Sequence, residues 1–284
     1  MELAYRILNV FTVEGRRLSG NPLCVFEDGR GLDEATMLAL ARQLNLSETT
    51  FILPARAAGA TAWVRIFTPG FEMPFAGHPS LGTAQVLRAL AGGGDRVVLE
   101  LAAGLVEVTA AADRWTLRAA RPPATRPPQA GPDRLAAMLG LPPASVRHPL
   151  WVDTGVEQLV LPLATPAQVR AVRPDAALLD RHGRQPGGDE VMVLTWAPDG
   201  PGRVLARFFS VENGVLTEDP ATGSACANLG GWFLATGAPR PLSLTVSQGE
   251  AVGRPSRLDL AVDAEGQVFV AGEVVELGRG VLRI

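Results

Sequence analysis

The spacing of apolar residues changes several times along the first half of the chain. Alternating apolar and polar positions, rich in β-branched and aromatic residues, predict strands at 5–11, 23–26, 49–53 and 62–68. Shorter strands are predicted at 97–101, 106–110 and 115–119. Helical spacing predicts a helix over 32–44, with Asp33 as its N-cap, and Pro79 suits the first turn of a second helix that extends to Ala91.

The second half repeats this order of elements. A helix is predicted near 133–139, strands near 157–162, 191–196 and 204–209, and a helix without any charged residue at 223–235. A helix that is apolar on every face is surrounded by protein. The simplest architecture is therefore α+β: a strongly curved mixed sheet wrapped around a central helix, built twice.

The segment between the two halves has its own composition. Residues 121–132 are rich in proline and polar residues, which is typical of a linker. We expect an N-terminal α/β domain at 1–120 and a C-terminal one at 133–274. A strand at about 275–284 is a candidate for return to the first domain.

One local pattern occurs in both halves. The first copy reads Arg65-Ile-Phe-Thr-Pro and then Phe75-Ala-Gly-His-Pro-Ser-Leu-Gly-Thr-Ala; the second reads Arg207-Phe-Phe-Ser-Val and then Glu218-Asp-Pro-Ala-Thr-Gly-Ser-Ala-Cys-Ala. The two arginines are 207 − 65 = 142 positions apart, which is half of 284. Each copy predicts a strand, a short loop with ionisable side chains, and the start of a helix. Two such loops facing each other would form one cleft.

Composition narrows the class of protein. The chain is 47% hydrophobic and 19% charged, which is typical of a globular protein, and its net charge is −3 with scattered basic residues. No apolar run is long enough for a membrane span, and the first residues show no signal peptide. We expect a cytoplasmic protein without a nucleic-acid or membrane partner.

The inventory of reactive side chains excludes several chemistries. The chain has no lysine, and all 26 of its Lys-plus-Arg residues are arginines, so lysine Schiff bases and the P-loop are excluded. The two cysteines, Cys24 and Cys226, lie in apolar segments without metal or disulfide spacing. They are expected to be small buried residues rather than reactive thiols.

The starts of the two repeated helices are candidate anion sites. Free backbone N–H groups, hydroxyls and the positive helix end would favour a carboxylate at 78–83 and at 222–224. Ordinary capping by Ser or Thr is the alternative at either copy alone. The presence of an ionisable residue beside each copy favours a functional site.

Three ionisable residues are candidates for the chemistry. His78 is predicted at a helix N-terminus, where a neutral imidazole could carry a proton, and a structural role is its alternative. Asp219 could cap its helix or face the cleft, with its neighbour Glu218 a weaker candidate. Glu48 precedes an apolar strand, where a carboxylate can gain the raised pKa of a general base; a solvated loop glutamate is the alternative.

Two other kinds of site receive little support. Glu48, His78 and Asp219 could together bind a metal, but no compact ligand pair such as His-x-x-x-His is present. A Ser-His-Asp hydrolase fits the inventory but lacks the Gly-x-Ser-x-Gly pattern.

Five motifs together resemble one known family, the PhzF family of phenazine-biosynthesis-like isomerases. They keep the family's order and read Gly20-Asn-Pro-Leu-Cys-Val-Phe, Asn45-Leu-Ser-Glu-Thr-Thr-Phe, Phe75-Ala-Gly-His-Pro, Glu218-Asp-Pro-Ala-Thr-Gly-Ser-Ala and Gln248-Gly-Glu-x-x-Gly-Arg-Pro-Ser. The resemblance implies a diaminopimelate-epimerase-like fold, with the active site between two similar domains. Related racemases carry a catalytic cysteine on each loop, and this chain has neither at the matching position.

The resemblance also implies roles for individual residues. Glu48 matches the family's glutamate that moves a proton between carbon atoms, and His78 and Asp219 would orient the substrate or relay protons. The remaining substrate-binding positions, which include the helix starts that would hold a carboxylate, are Asn21, Ser47, Gly77, Thr222, Gly223 and Ser224. The resemblance implies a homodimer and does not imply a cofactor.

Three functions are compatible with these residues. The first is a cofactor-independent isomerase of a small carboxylate-bearing metabolite. The second is an epimerase or racemase that uses oxygen and nitrogen bases in place of thiols. The third is a non-catalytic small-molecule-binding protein on the same fold, although such a protein would be expected to have lost part of the site.

Overall fold

Each half of the chain packs its strands around one buried helix. The computed structural model describes residues 1–185, 191–212 and 214–284. By its internal contacts the chain divides into two compact units, residues 1–118 with 271–284 and residues 119–270. The proline-rich segment 121–132 contains a short strand that pairs within the second unit.

The N-terminal unit contains, in chain order, β1 (Glu2–Val10), β2 (Asn21–Phe26), α1 (Glu34–Leu44), β3 (Glu48–Leu53), β4 (Ala62–Phe67), β5 (Glu72–Met73), α2 (Gly77–Leu90), β6 (Arg96–Leu101), β7 (Gly104–Ala111) and β8 (Arg114–Arg118). The C-terminal unit contains β9 (Ala124–Arg126), α3 (Pro132–Met138), β10 (Leu150–Asp153), β11 (Glu157–Pro162), α4 (Pro166–Ala171), α5 (Ala176–His182), β12 (Val191–Pro198), β13 (Arg203–Glu212), β14 (Val215–Asp219), α6 (Gly223–Ala235), β15 (Leu242–Gln248), a 3₁₀ turn (Glu250–Val252), β16 (Ser256–Val262) and the first residues of β17 (Val268–Arg283). The rest of β17 belongs to the N-terminal unit.

The order and direction of strand pairing are the same in the two units. In the first, β1–β2 is antiparallel, β2–β3 parallel, β3–β4 and β4–β5 antiparallel, β4–β6 parallel and β6–β7 antiparallel. In the second, β10–β11, β11–β12, β12–β13, β13–β14, β13–β15 and β15–β16 follow the same six directions. Both sheets are therefore mixed, and the predicted duplication extends to the strand topology.

The repeated arginines explain part of this duplication. Arg65 forms hydrogen bonds to both carboxylate oxygens of Glu72, and Arg207 does the same with Glu218. Each guanidinium also lies over the phenylalanine two residues further on, 5.0 Å from the ring centre in the first unit and 4.9 Å in the second. The repeated Arg-x-Phe thus ties a strand to its hairpin partner just before the loop that leads to the buried helix.

The helices α2 and α6 are the centres of their units. Ten residues of α2 are buried, from Gly77 to Leu87, and α2 packs on β1, β2, β3, β6 and β8. The uncharged α6 packs on β9, β10, β11 and β16. The expectation of a central helix from its lack of charge is confirmed. Among the described residues, no helix is long and apolar enough to cross a membrane.

Candidate active site

Two ionisable side chains of the N-terminal unit meet in its interior. Nε2 of His78 lies 3.3 Å from Oε2 of Glu48, and only 5% and 15% of the two side chains is exposed. The two atoms are close but are not aligned as a hydrogen bond. The structure thus brings together the predicted base and the predicted proton carrier.

Burial determines the charge of His78. Desolvation lowers the pKa of His78 from 6.5 to about 3, and a hydrogen bond with the backbone of Pro22 offsets only part of this. The imidazole is therefore neutral near pH 7, with desolvation as the main cause. A positive imidazolium so close to Glu48 would weaken that carboxylate as a base, and the neutral ring avoids this.

Asn21 and Ser47 complete the polar group around His78. Nδ2 of Asn21 is 3.3 Å from Nδ1 of His78, and Ser47 donates from Oγ to Oδ1 of Asn21, also at 3.3 Å. Asn21 is fully buried. A continuous chain of contacts therefore runs from Ser47 through Asn21 and His78 to Glu48, and it holds the imidazole in one orientation.

Strand register and one glycine bring these residues to the same place. β2 and β3 pair in parallel with Leu23 opposite Glu48, so Asn21 and Glu48 both lie at the first residues of neighbouring strands. Gly20 has φ of +79°, and a Cβ on it would lie 2.4 Å from the carbonyl oxygen of Val10. Only glycine can therefore lead the chain into β2 at this point.

The two buried helices begin without side-chain caps. Within the described part of the chain, no side chain caps α2 at Ala76 or α6 at Thr222. By contrast, α1, α4 and α5 are each capped by an Asp or Thr side chain. Simple capping therefore does not account for the Ser and Thr residues at these two helix starts, and the geometry there suits an anion.

In the C-terminal unit, Thr222 is the N-cap residue of α6, but its side chain holds Asp219 instead of capping the helix. Thr222 donates its hydroxyl proton to Oδ2 of Asp219, with the oxygens 2.5 Å apart. Its neighbour Glu218 is the ion-pair partner of Arg207, which gives it a structural role. Of the two adjacent acidic residues, Asp219 is therefore the candidate for chemistry.

Ser224 ends a buried polar network. Its Oγ accepts from Nε2 of Gln158 at 2.9 Å, while Oε1 of Gln158 accepts from Asn228 at 2.9 Å. Asn228 in turn accepts from both the backbone N–H and the hydroxyl of Thr154, and Gln158 and Asn228 are fully buried. Because Gln158 donates to it, the hydroxyl of Ser224 can direct its own proton to a ligand.

The strand register shows which position in the second unit is equivalent to Glu48. Phe51 of β3 and Thr195 of β12 each pair with the repeated arginine of their unit. Glu48 and Met192, each three residues earlier, are therefore equivalent, and Sδ of Met192 is 3.7 Å from Nε2 of Gln158. One unit thus carries a carboxylate where the other carries a thioether.

The helix starts show the same difference. His78 and Ser224 are both the second residue of their buried helix. An imidazole beside a carboxylate in the first unit therefore corresponds to a hydroxyl beside an amide in the second. Glu48 and His78 both lie in the N-terminal unit. By the register of the β4–β5 and β13–β14 hairpins, the position of Asp219 in the second unit is occupied by Met73 in the first.

Among the described residues, neither the cysteines nor the potential metal ligands form a second site. Burial raises the pKa of Cys24 to about 12 and that of Cys226 further still, so both thiols stay protonated. In the ranges that the structure describes, no three His, Cys, Asp or Glu side chains are grouped so that they could hold a metal ion.

Four residues that bond into these networks escaped prediction: Gln158, Met192, Asn228, and Gln248, which donates to the hydroxyl of Thr222. Gln248 is the first residue of the fifth motif described above, so the sequence did contain a signal for it. The other three carry no local signal, because their roles come from contacts with residues far away in the chain.

Comparison with known proteins agrees over nearly the whole chain. The model of the phenazine biosynthesis-like protein family matches residues 8–280. An uncharacterised isomerase of Pasteurella multocida is 34% identical over 279 residues, 98% of this chain and 93% of that protein. The trans-2,3-dihydro-3-hydroxyanthranilate isomerase of Pseudomonas aeruginosa is 35% identical over 277 residues, 95% of this chain and 94% of that protein.

Solved structures show the same fold. A PhzF-family protein of Bacillus anthracis has a TM-score of 0.85 at 21% identity, with both chains fully covered. A protein of Pseudomonas aeruginosa described as a predicted epimerase has a TM-score of 0.82 at 32% identity, over 99% of both chains. A hydroxyproline epimerase from Agrobacterium vitis has a TM-score of 0.68 at 15% identity, over 99% of this chain and 92% of the other. The chain belongs to the phenazine biosynthesis-like PhzF family, has the α+β fold of the diaminopimelate-epimerase type, and is an isomerase.

Proposed function

We propose that the protein moves a proton between two carbon atoms of a small carboxylate-bearing metabolite, with Glu48 as base and then acid and without a cofactor. The observation that carries this proposal is the 3.3 Å approach of Glu48 to a buried, neutral His78. A largely buried carboxylate beside a neutral hydrogen-bonding ring has the arrangement that general acid–base catalysis needs.

The proposed step conserves atoms and charge. An oxygen of Glu48 takes a proton from one carbon while the electrons of that C–H bond shift into the substrate's double bonds. The protonated Glu48 then returns the proton to a second carbon, which restores the carboxylate. His78 and Asp219 orient polar groups of the substrate or relay protons, and Asn21 and Ser47 hold the imidazole of His78.

The substrate's carboxylate is proposed to bind at the uncapped helix starts. Gly77 is the first residue of α2. Thr222 is the N-cap of α6, and Gly223 and Ser224 are its first two residues. Backbone N–H groups at a helix N-terminus bind anions without a positively charged side chain, which suits a site whose ring is neutral. A homodimer, which the family resemblance implies, and a cytoplasmic location are part of the same proposal.

Hydrogen exchange tests the role of Glu48. The protein is incubated in D₂O with trans-2,3-dihydro-3-hydroxyanthranilate, the substrate in the relative's name, and with a panel of small carboxylic acids. We expect deuterium to enter a carbon position, and Glu48→Gln to slow this by about 10²–10⁴-fold. Glu107→Gln, at an exposed glutamate of the same unit, is the matched control.

Three outcomes are informative. Exchange at the wild-type rate in Glu48→Gln would refute the proposed base. Inversion of a stereocentre without a shift of the double bond, seen by chiral chromatography, would favour an epimerase that uses oxygen and nitrogen bases. Tight binding without exchange across the panel would favour a binding protein.

A further inference from the structure

The segment 248–256 begins with a glutamine that contacts the Asp219 loop at three points. Gln248 is only 2% exposed. Its Nε2 donates to the carbonyl oxygen of Asp219 at 2.9 Å and to Oγ1 of Thr222 at 3.1 Å, and its Oε1 accepts from the backbone N–H of Thr222 at 3.4 Å. One side chain therefore joins both ends of the turn between Asp219 and Thr222.

The partners of Gln248 fix the orientation of its amide. A backbone N–H can only donate and a backbone carbonyl can only accept, so Oε1 must face Thr222 and Nε2 must face Asp219. The reversed amide would place two donors together and two acceptors together. The assignment of Nε2 as the donor to Thr222 therefore follows from chemistry.

This donor determines where the single hydroxyl proton of Thr222 goes. Because Oγ1 of Thr222 accepts from Gln248, its own proton is directed to Oδ2 of Asp219, at 2.5 Å. A hydroxyl that donates to a carboxylate makes a strong, short hydrogen bond and holds the carboxylate in one rotamer. The order of donation is Gln248 to Thr222 to Asp219.

The next residue anchors the same segment against the loop. Gly249 has φ of +81°, and a Cβ on it would lie 2.6 Å from the carbonyl oxygen of Pro220 and 2.2 Å from that of Arg254. The backbone after Gln248 thus packs directly on the residue after Asp219. No side chain larger than hydrogen fits between them.

We infer that Gln248 is a positioning residue, which fixes the carboxylate of Asp219 through the hydroxyl of Thr222. The inference rests on the proposed function for its catalytic meaning, since it supposes that Asp219 faces substrate. The hydrogen-bond relay itself is a property of the folded protein and is measurable without any substrate.

The test is a carboxyl ¹³C NMR titration of Asp219, assigned with Asp219→Asn. Removing the hydroxyl in Thr222→Val should raise the midpoint by about 1 pH unit, because the carboxylate loses a donor to its charged form. Gln248→Met should raise it in the same direction, since Thr222 is then free to turn its proton away. Thr222→Ser and Gln85→Met, a glutamine of the N-terminal unit, should leave it within about 0.3 units.

Each result decides the inference. An unchanged midpoint in folded Gln248→Met, beside a shift in Thr222→Val, would overturn the role of Gln248. Unchanged midpoints in both would overturn the relay. If Gln248→Met does not fold, Gln248→Leu removes both donors without adding a charge, and it is judged by the same criterion. Exchange at the wild-type rate in Asp219→Asn would instead count against the proposed function and leave the relay standing.

Discussion

The guanidinium of Arg207 and the carboxylate of Glu218 form a paired ion bridge inside the C-terminal unit, with N–O distances of 2.9 and 2.7 Å and only 9% and 12% of the side chains exposed. Arg207 also donates to the carbonyl oxygens of Val169 and Val172. Arg207 therefore links β13 and β14 to Val169 in α4 and to Val172, which follows α4.

Removing one partner of this bridge should be costly. Glu218→Gln leaves a buried guanidinium without its counter-charge, and we expect a loss of about 3 kcal/mol in the free energy of unfolding, measured by urea denaturation. The control Glu107→Gln, whose ion pair with Arg96 is more than half exposed on both sides, should lose less than about 1 kcal/mol. Equal losses in the two variants would contradict the assignment of a buried structural bridge.

The lowered pKa of His78 makes stability depend on pH. The unfolded chain binds a proton at His78 near pH 6.5, whereas the folded protein binds it only near pH 3. Stability from the neutral ring is thus fully present above about 6.5 and is lost as the pH falls towards 3, at about 1.4 kcal/mol per pH unit. Between pH 6.5 and pH 5, this contribution makes the unfolding free energy of the wild type fall. His78→Gln should lack it and show a correspondingly smaller fall. If His78→Gln keeps the full slope, or if His148→Asn reduces the slope by the same amount, the assignment of the slope to His78 is contradicted.

The buried thiols should take no part in turnover. Both cysteines are buried with raised pKa values, so a disulfide reagent at pH 8 should label neither in the folded protein and both after unfolding. Cys226→Ala should exchange substrate hydrogen within about threefold of the wild-type rate. Rapid labelling of the native protein together with inactivation would restore a thiol mechanism.

The entry of the chain into β2 should tolerate no side chain. Gly20→Ala combines a left-handed backbone with a clash against Val10, so we expect a loss of at least about 2 kcal/mol in stability and a displaced Asn21. Gly15→Ala, also left-handed at φ +73° but with nothing within 4 Å, should lose only about 1 kcal/mol. Thermal unfolding compares the two, and equal stabilities would show that the backbone near Val10 can move aside.

The parts of the fold predicted from sequence are those with a local cause. The lack of charge in α6 requires burial whatever its neighbours are, and the order of strands in each half follows from local alternation. The motif containing Glu48 and the one containing His78 could each be recognised separately. Their 3.3 Å approach could be expected only through the family resemblance.

The rest depends on contacts between distant residues. Gln158 is 66 positions from Ser224, and nothing in its local sequence distinguishes it from a surface glutamine. Gln248 lies in a recognised motif, but its bond to Thr222, 26 positions away, could not be read from that motif. The lowering of the pKa of His78 by desolvation was also out of reach of the sequence, because burial is a property of the packed structure.

The pairing of β17 with β1 has a consequence for how the protein is made. Val10 pairs with Val274 and Leu8 with Glu276, a separation of 276 − 8 = 268 positions. Until residues 274–283 have been synthesised and have left the ribosome, β1 lacks one of its two neighbours. The unit that carries Glu48 and His78 therefore cannot complete its sheet before residues 119–270 have been made, and the pairing that completes it closes a loop of 268 positions.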